Sequence, residues 1–213
     1  MALVKYNNNS ISAVTTTGIP SGSLVPIKTL TADSASTVSF IHGSSDVVFD
    51  STYPIYVLKI INAHLDADDR QIKFNFTTDG TNFNVTKTTT NIRSTHDEGD
   101  TSGNTGLSYR TNNDLAQSAS DQGLGEAILG GSGGGADGNL CAEIFIFNPS
   151  STTFVKHFIA RSIAVTAGSA CEDVYTAGYC NTTSAITGIK FLTGGGSATT
   201  IDGKFKLYGI KDS

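Results

Sequence analysis

Between Leu140 and Ile163 the sequence LCAEIFIFNPSSTTFVKHFIARSI forms the densest apolar run of the chain, and Asn148-Pro149-Ser150-Ser151 cuts it in two. Before this turn signal Ala142, Ile144 and Ile146 alternate with Glu143, Phe145 and Phe147. After it Val155, His157 and Ile159 alternate with Phe154, Lys156 and Phe158. A period of two in β-branched and aromatic residues, around a turn containing proline, predicts an antiparallel β-hairpin. A helix would have to run through Pro149, which removes a backbone donor and clashes with the preceding turn. Large apolar side chains on both faces place this hairpin in the middle of a sheet.

The remaining segments follow the same rhythm. Val25–Leu30 reads as a strand that Pro26 admits only at a sheet edge or strand start. Thr37–Ile41 and Val47–Phe49 read as short strands, and Pro54–Asn62 as a second central one. Gln71–Thr77 alternates with Ile72, Phe74 and Phe76 inward and Lys73 and Asn75 outward. Asp79-Gly80 predicts a hairpin turn returning through Phe83–Thr88, with Phe83 and Val85 inward. Val174–Cys180, Ile186–Leu192 and Gly203–Ile210 complete the set, the last with Phe205 and Leu207 on one face. Lys204 and Lys206 on its other face suit a solvated edge strand. Residues 95–139 lose the pattern and predict one long Gly/Ser-rich loop, with a helical turn at Leu124–Leu129; loops of this length are usually functional or disordered.

Strands without a βαβ rhythm predict an all-β fold, an antiparallel β-sandwich of jelly-roll type, with an up-and-down barrel as the alternative. Only 15% of the 213 residues are charged, and Gly is abundant at 23. That composition disfavours long helices and suits one domain, residues 24–213, carrying the loop at 95–139. Residues 1–23 are an Asn-, Ser- and Thr-rich arm that cannot bury much by itself.

The same features narrow the chemistry. A net charge of −5 with 14 scattered basic residues argues against a nucleic-acid partner. No apolar run approaches the roughly 20 residues of a membrane span, and the polar opening predicts no secretory leader. Cys141, Cys171 and Cys180 are odd in number and lack zinc spacing, so free thiols are expected, with a Cys171–Cys180 pair left open. In His96-Asp97-Glu98-Gly99-Asp100 the plain reading is a solvated acidic loop; a cation there would use Asp97, Glu98 and Asp100. His157 is expected to pack with its ring hydrogen-bonded. Gly131-Ser132-Gly133-Gly134-Gly135-Ala136 matches a dinucleotide fingerprint in letters only, because a strand follows it instead of a helix N-terminus. Tyr53, Tyr109, Tyr175 and Tyr179 are the residues on which a sugar would stack. A glycosidase would need two carboxylates facing one cleft, drawn from Glu126, Glu143 and Glu172. No catalytic set and no cofactor is expected.

The segments ALVKYNNNSISAVTTTGIPSG, SSDVVFDSTYPIYVLKIIN, FNPSSTTFVKHFI, AGYCNTTSAITGIKF and IDGKFKLYGIKDS together resemble small virion structural proteins of marine tailed bacteriophages, those of cyanophages among them. Phe147–Phe158 and Lys206–Lys211 are the most specific parts of the resemblance. It implies a non-enzymatic particle component with a jelly-roll or related sandwich, assembled in the host cytoplasm and located on the virion. A tail-fibre or adhesin-type component is the first reading, a capsid decoration protein the second, and a carbohydrate-binding or carbohydrate-active sandwich the third. The implied partners are other virion proteins, further copies of the chain and a host surface glycan. In that setting the arm becomes an anchor, with Leu3, Val4, Tyr6, Ile11 and Val14 as its apolar contacts.

Overall fold

The computed structural model describes residues 23–67, 69–100, 105–125, 138–166, 169–194 and 199–211. Its twelve strands are β1 (Leu24–Ala35), β2 (Thr37–Ile41), β3 (Ile55–Leu65), β4 (Gln71–Thr77), β5 (Lys87–Asp97) and β6 (Gly106–Tyr109), then β7 (Gln122–Gly123), β8 (Leu140–Phe147), β9 (Lys156–Val165), β10 (Ala170–Cys180), β11 (Gly188–Gly194) and β12 (Ile201–Ile210). They form two antiparallel sheets packed as a β-sandwich. The large sheet runs β1-β12-β3-β8-β9-β10-β5-β6, the small one β2-β11-β4-β7. Four pairings are nested: β1 with β12, β2 with β11, β3 with β8 and β4 with β7. The strands left over, β9, β10, β5 and β6, extend the large sheet beyond β8.

The predicted hairpin is present as β8 and β9, joined in register from Leu140↔Ala164 to Ile146↔Phe158. It lies near the middle of the large sheet. The core between the sheets is apolar and rich in aromatic rings. Phe158 of β9 meets Phe74 and Phe76 of β4 with ring centroids 5.7 and 5.3 Å apart, and Phe205 of β12 meets Phe191 of β11 at 5.1 Å. Burying each such ring contributes about 1.5–3 kcal/mol, and these pairs join opposite sheets. Pro26 sits in β1, an edge strand, where a missing N–H is tolerated.

Several expectations are corrected. Val47–Phe49 is not a strand. Ser45 and Asp46 adopt left-handed φ of 50° and 67°, and the following donors are taken locally: Val47 N–H by Ser44 O, Phe49 N–H by His42 Nδ1. Both apolar residues are nonetheless buried. Phe83–Thr88 does not form a hairpin strand with β4: β7 takes the free side of β4 at Lys73 and Phe74, and the returning chain touches β4 through Val85 N–H, which donates to Phe76 O at 3.3 Å. Asp79 instead gathers the N–H groups of Thr81 and Asn82 at 2.8 and 2.7 Å, and the chain crosses to the large sheet as β5. Val85 is buried as expected, but Phe83 is half exposed beneath the Lys190 ammonium, 4.8 Å from its ring centroid.

Asn75 is buried, not outward, because residues 118–123 cover it. Lys204 and Lys206 do face outward, but from β12, which has β1 on one side and β3 on the other; the edges of that sheet are β1 and β6. Where one long loop was expected, residues 106–109 and 122–123 supply a strand to each sheet. Leu124 and Gly125 lie in a bend, and residues 126–129 of the expected helical turn lie outside the described residues.

Candidate functional site

Because side chains alternate across a strand, the large sheet has an outer face directed away from the small sheet. Register fixes a ladder across it: Lys206↔Lys59, Lys59↔Glu143, Glu143↔Arg161, Arg161↔Tyr175, Tyr175↔Ile92 and Ile92↔Tyr109. Nine large apolar side chains are exposed among the described residues, and by register all but Phe154 stand on this face. They are Leu24, Ile61, Ile92, Leu107, Tyr109, Ile159, Ile163 and Tyr175, from 37% exposed at Ile61 to 77% at Leu107. That clustering, rather than the exposure of any one residue, makes this face the candidate site.

Charges interrupt the apolar field in a fixed order. Lys59 Nζ lies 3.6 Å from Glu143 Oε2. Arg161 grips Asp173 with two bonds, Nε to Oδ1 at 3.0 Å and Nη2 to Oδ2 at 2.8 Å, and its guanidinium lies 4.9 Å from the centroid of the Tyr175 ring. The Asp173 carboxylate raises the Arg161 pKa, so the cation is fixed in charge and position. Next to Ile159 the small side chain of Ala177 leaves a shallow depression of about 470 Å³, rimmed by Phe147, His157, Ile159, Tyr179 and Thr90. His157 is exposed there, its ring 6.0 Å from that of Tyr179, instead of packed as expected.

The inner side of the same strands is built differently. Residues 110–125, which include β7 at the margin of the small sheet, run along the edge of β5 and under the large sheet, and the contact is polar. Gln122 donates to Asn113 O at 2.8 Å and accepts from Thr89 Oγ1 at 2.8 Å; Asn91 donates to Thr176 Oγ1 at 2.7 Å. Ser162 Oγ donates to Leu124 O, and Arg93 pairs with the buried Glu172 at 3.5 Å.

At the end of this layer lies Lys87, which has no solvent exposure. Its Nζ donates to Asn75 Oδ1 at 2.6 Å and to Val85 O at 2.7 Å. Asn75 Nδ2 donates to Asp121 Oδ1 at 2.9 Å and Ala119 O at 3.0 Å. Burial pushes the Lys87 pKa down to about 8, opposed by Cys180 and Asp121. Burial also pushes the neighbouring Cys180 thiol up to about 12, against the pull of Lys87 and Lys156, so it stays protonated.

The residues singled out from sequence fall in different places. Asp97, Glu98 and Asp100 close the turn after β5; Asp97 Oδ1 accepts from Gly99 N–H, and Asp100 Oδ1 lies 3.5 Å from His96 Nε2. Among the described residues no group of three or more His, Cys, Asp or Glu is placed to hold a metal ion. Cys141, Cys171 and Cys180 are free, with Cys171 and Cys180 on opposite faces of β10. Glu143 is on the outer face and Glu172 on the inner, so these two carboxylates do not share a cleft; Glu126 lies outside the described residues. Tyr109, Tyr175 and Tyr179 share the outer face, whereas Tyr53 packs edge-on against Tyr56 at 5.6 Å. Leu3, Val4, Tyr6, Ile11 and Val14 lie outside the described residues.

Sequence reasoning missed Lys87 and Lys156 as buried groups. Their signal was parity: Lys87 shares its phase with Val85 and Thr89, and Lys156 with Phe158 and Ala160. In comparisons with known proteins, no family model, no curated protein and no solved structure matches this chain.

Proposed function

We propose that this chain is a non-enzymatic structural protein of a bacteriophage particle, a tail-fibre or adhesin-type component on a jelly roll, and that copies of it associate through the outer face of the large sheet. The observation that carries the reading is that face. Eight strands that average about ten residues, from four in β6 to twelve in β1, make a face of roughly 1,100 Å², against the ~800 Å² per partner of a standard interface.

Its charges are self-complementary. Lys59, Glu143, Arg161 and Asp173 alternate in sign over β3, β8, β9 and β10. A two-fold axis parallel to the strands and between β8 and β9 reverses that order in the facing copy. Arg161 then meets Glu143, Tyr175 meets Lys59, and Ile159 meets Phe145.

The jelly-roll reading rests on the nested pairing. Without β5, β6, β9 and β10, eight strands remain, paired first with last and inward in turn. That is the order of one long hairpin rolled into two four-stranded sheets, β1-β12-β3-β8 and β2-β11-β4-β7. The other four strands are then two insertions lying side by side. The virion assignment is supported by the resemblance of the segments around Phe147–Phe158 and Lys206–Lys211, and the arm at 1–23 is the proposed anchor.

Imaging of purified particles at side-chain resolution tests this reading. A few to a few tens of copies on the tail, joined through the outer face, is the expected result. Hundreds of copies on the shell would replace it with capsid decoration, and absence from particles would overturn both.

A further inference from the structure

We propose that the side chains of Lys87 and Asn75 condense into an intramolecular isopeptide bond, with Asp121 as the proton carrier and ammonia as the leaving group. The two residues belong to different sheets, Asn75 to β4 and Lys87 to the first position of β5. The bond would therefore tie one sheet to the other, whatever the chain assembles with.

The geometry places each group the reaction needs. With Nζ 2.6 Å from Asn75 Oδ1, and a C=O bond near 1.2 Å, Nζ lies no more than about 3.8 Å from Cγ. Productive attack needs about 3–3.5 Å, so a small rotation of the lysine terminus suffices. Asn75 Oδ1 also accepts the Phe76 N–H at 2.9 Å, a fixed donor where negative charge develops during attack. The leaving nitrogen, Nδ2, donates to Asp121 Oδ1 at 2.9 Å.

Lys87 and Asn75 are 0% and 1% exposed, which keeps out water, the competing nucleophile. The buried amine is also chemically ready: with a pKa near 8 about a tenth of it is neutral at pH 7. The other buried lysine provides an internal contrast. Lys156 Nζ meets only main-chain carbonyls, Phe154 O at 3.0 Å and Thr182 O at 3.4 Å, and among its described partners has no carboxamide to attack.

The step balances without a redox partner. The neutral Lys87 amine donates its lone pair to Cγ, forming the N–C bond while the carbonyl pair moves onto Oδ1. Asp121 takes one proton from the newly bonded nitrogen and delivers it to Nδ2. The oxyanion collapses, the Cγ–Nδ2 bond breaks, and ammonia departs, leaving a secondary amide. Asp121 ends as it began.

Intact-mass measurement on the folded full chain tests this, followed by denaturation and tryptic mapping. The expected result is a deficit of about 17 Da, one ammonia, carried by a peptide covering residues 74–93 that is uncut after Lys87. Cleavage after Lys156 proceeds normally. Lys87→Arg restores the full sequence mass, and Asp121→Ala slows or abolishes the loss while the far-ultraviolet circular dichroism stays that of a β protein. A folded wild-type chain at full mass, cut after Lys87, overturns the proposal. So does a deficit that persists in Lys87→Arg, since that identifies cyclisation of an asparagine on its own backbone.

Discussion

Replacing Ile159 by Lys puts a charge at the centre of the outer face without touching the core. Ile159 is 47% exposed, so about half of its side chain is still available to a partner. Full burial of an isoleucine is worth about 1.5–3 kcal/mol, which leaves about 1 kcal/mol per copy for association. In a two-fold dimer the residue is used twice, and about 2 kcal/mol corresponds to roughly a 30-fold weaker dissociation constant. Lysine adds to this, because its ammonium would be desolvated against Phe145 of the facing copy. The substitution should leave the monomer within about 0.5 kcal/mol of wild-type stability, since an exposed strand position away from special features is tolerant. Sedimentation equilibrium over a concentration series reads the association, and urea unfolding at low concentration reads the monomer. An unchanged dissociation constant with an unchanged monomer would refute the assignment of this face. So would a wild-type chain that stays monomeric at every concentration reached.

Two further outcomes follow from burial. Phe158→Ala removes the ring that meets Phe74 and Phe76 from the opposite sheet, and should cost about 3–5 kcal/mol and lower Tm by about 10–15 °C, read by thermal denaturation. Among the thiols, exposed Cys171 should react with a maleimide in the native protein, while Cys180 should react only at the rate of unfolding; mass spectrometry of labelled peptides distinguishes them.

What the sequence displayed was burial, more faithfully than partnership. The strands with the strongest alternation, β3, β4, β8 and β9, were legible because core and surface impose a period of two. Val85 was also legible as inward, and Val47 and Phe49 as apolar, yet none lies in a strand. A side chain can fill the core from a loop whose donors are satisfied by His42 or Ser44. Apolar residues on both sides of β9 correctly indicated a central strand. They did not reveal that Ile159 and Ile163 stand in the open, because an alternating pattern is silent on whether a second layer covers the second face. β6 and β7 escaped detection for the opposite reason. They are short and bury little apolar surface: β6 is held by its main-chain pairing with β5 and leaves Leu107 and Tyr109 exposed, and β7 is held by Gln122, Asn113 and main-chain bonds. Lys87 was hidden by residue type: a lysine among threonines reads as solvated, and only its phase with Val85 says otherwise.

The polar layer under β9, β10 and β5 has an energetic consequence of its own. The small sheet ends at β7, a two-residue strand within residues 110–125, so without that segment the inner faces of β10 and β5 would lose their cover, while β9 keeps Phe158 on β4. That cover is attached by hydrogen bonds, with Leu124 as its one fully buried large apolar side chain among the described residues. Gln122 is its central tie, accepting from Thr89 and donating to Asn113 O and Gly123 O. Gln122→Leu keeps the volume but leaves those buried groups without their partner, at about 1–3 kcal/mol for each that stays unsatisfied. Because the aromatic core between the sheets is not involved, the loss should appear as local opening. Amide exchange should accelerate in residues 110–125 and in Lys87–Asn91, while β3, β8 and β12 keep their protection. Uniform acceleration across all strands would mean that the cover and the sandwich unfold as one unit, and that the inserted strands are integral to the core they flank.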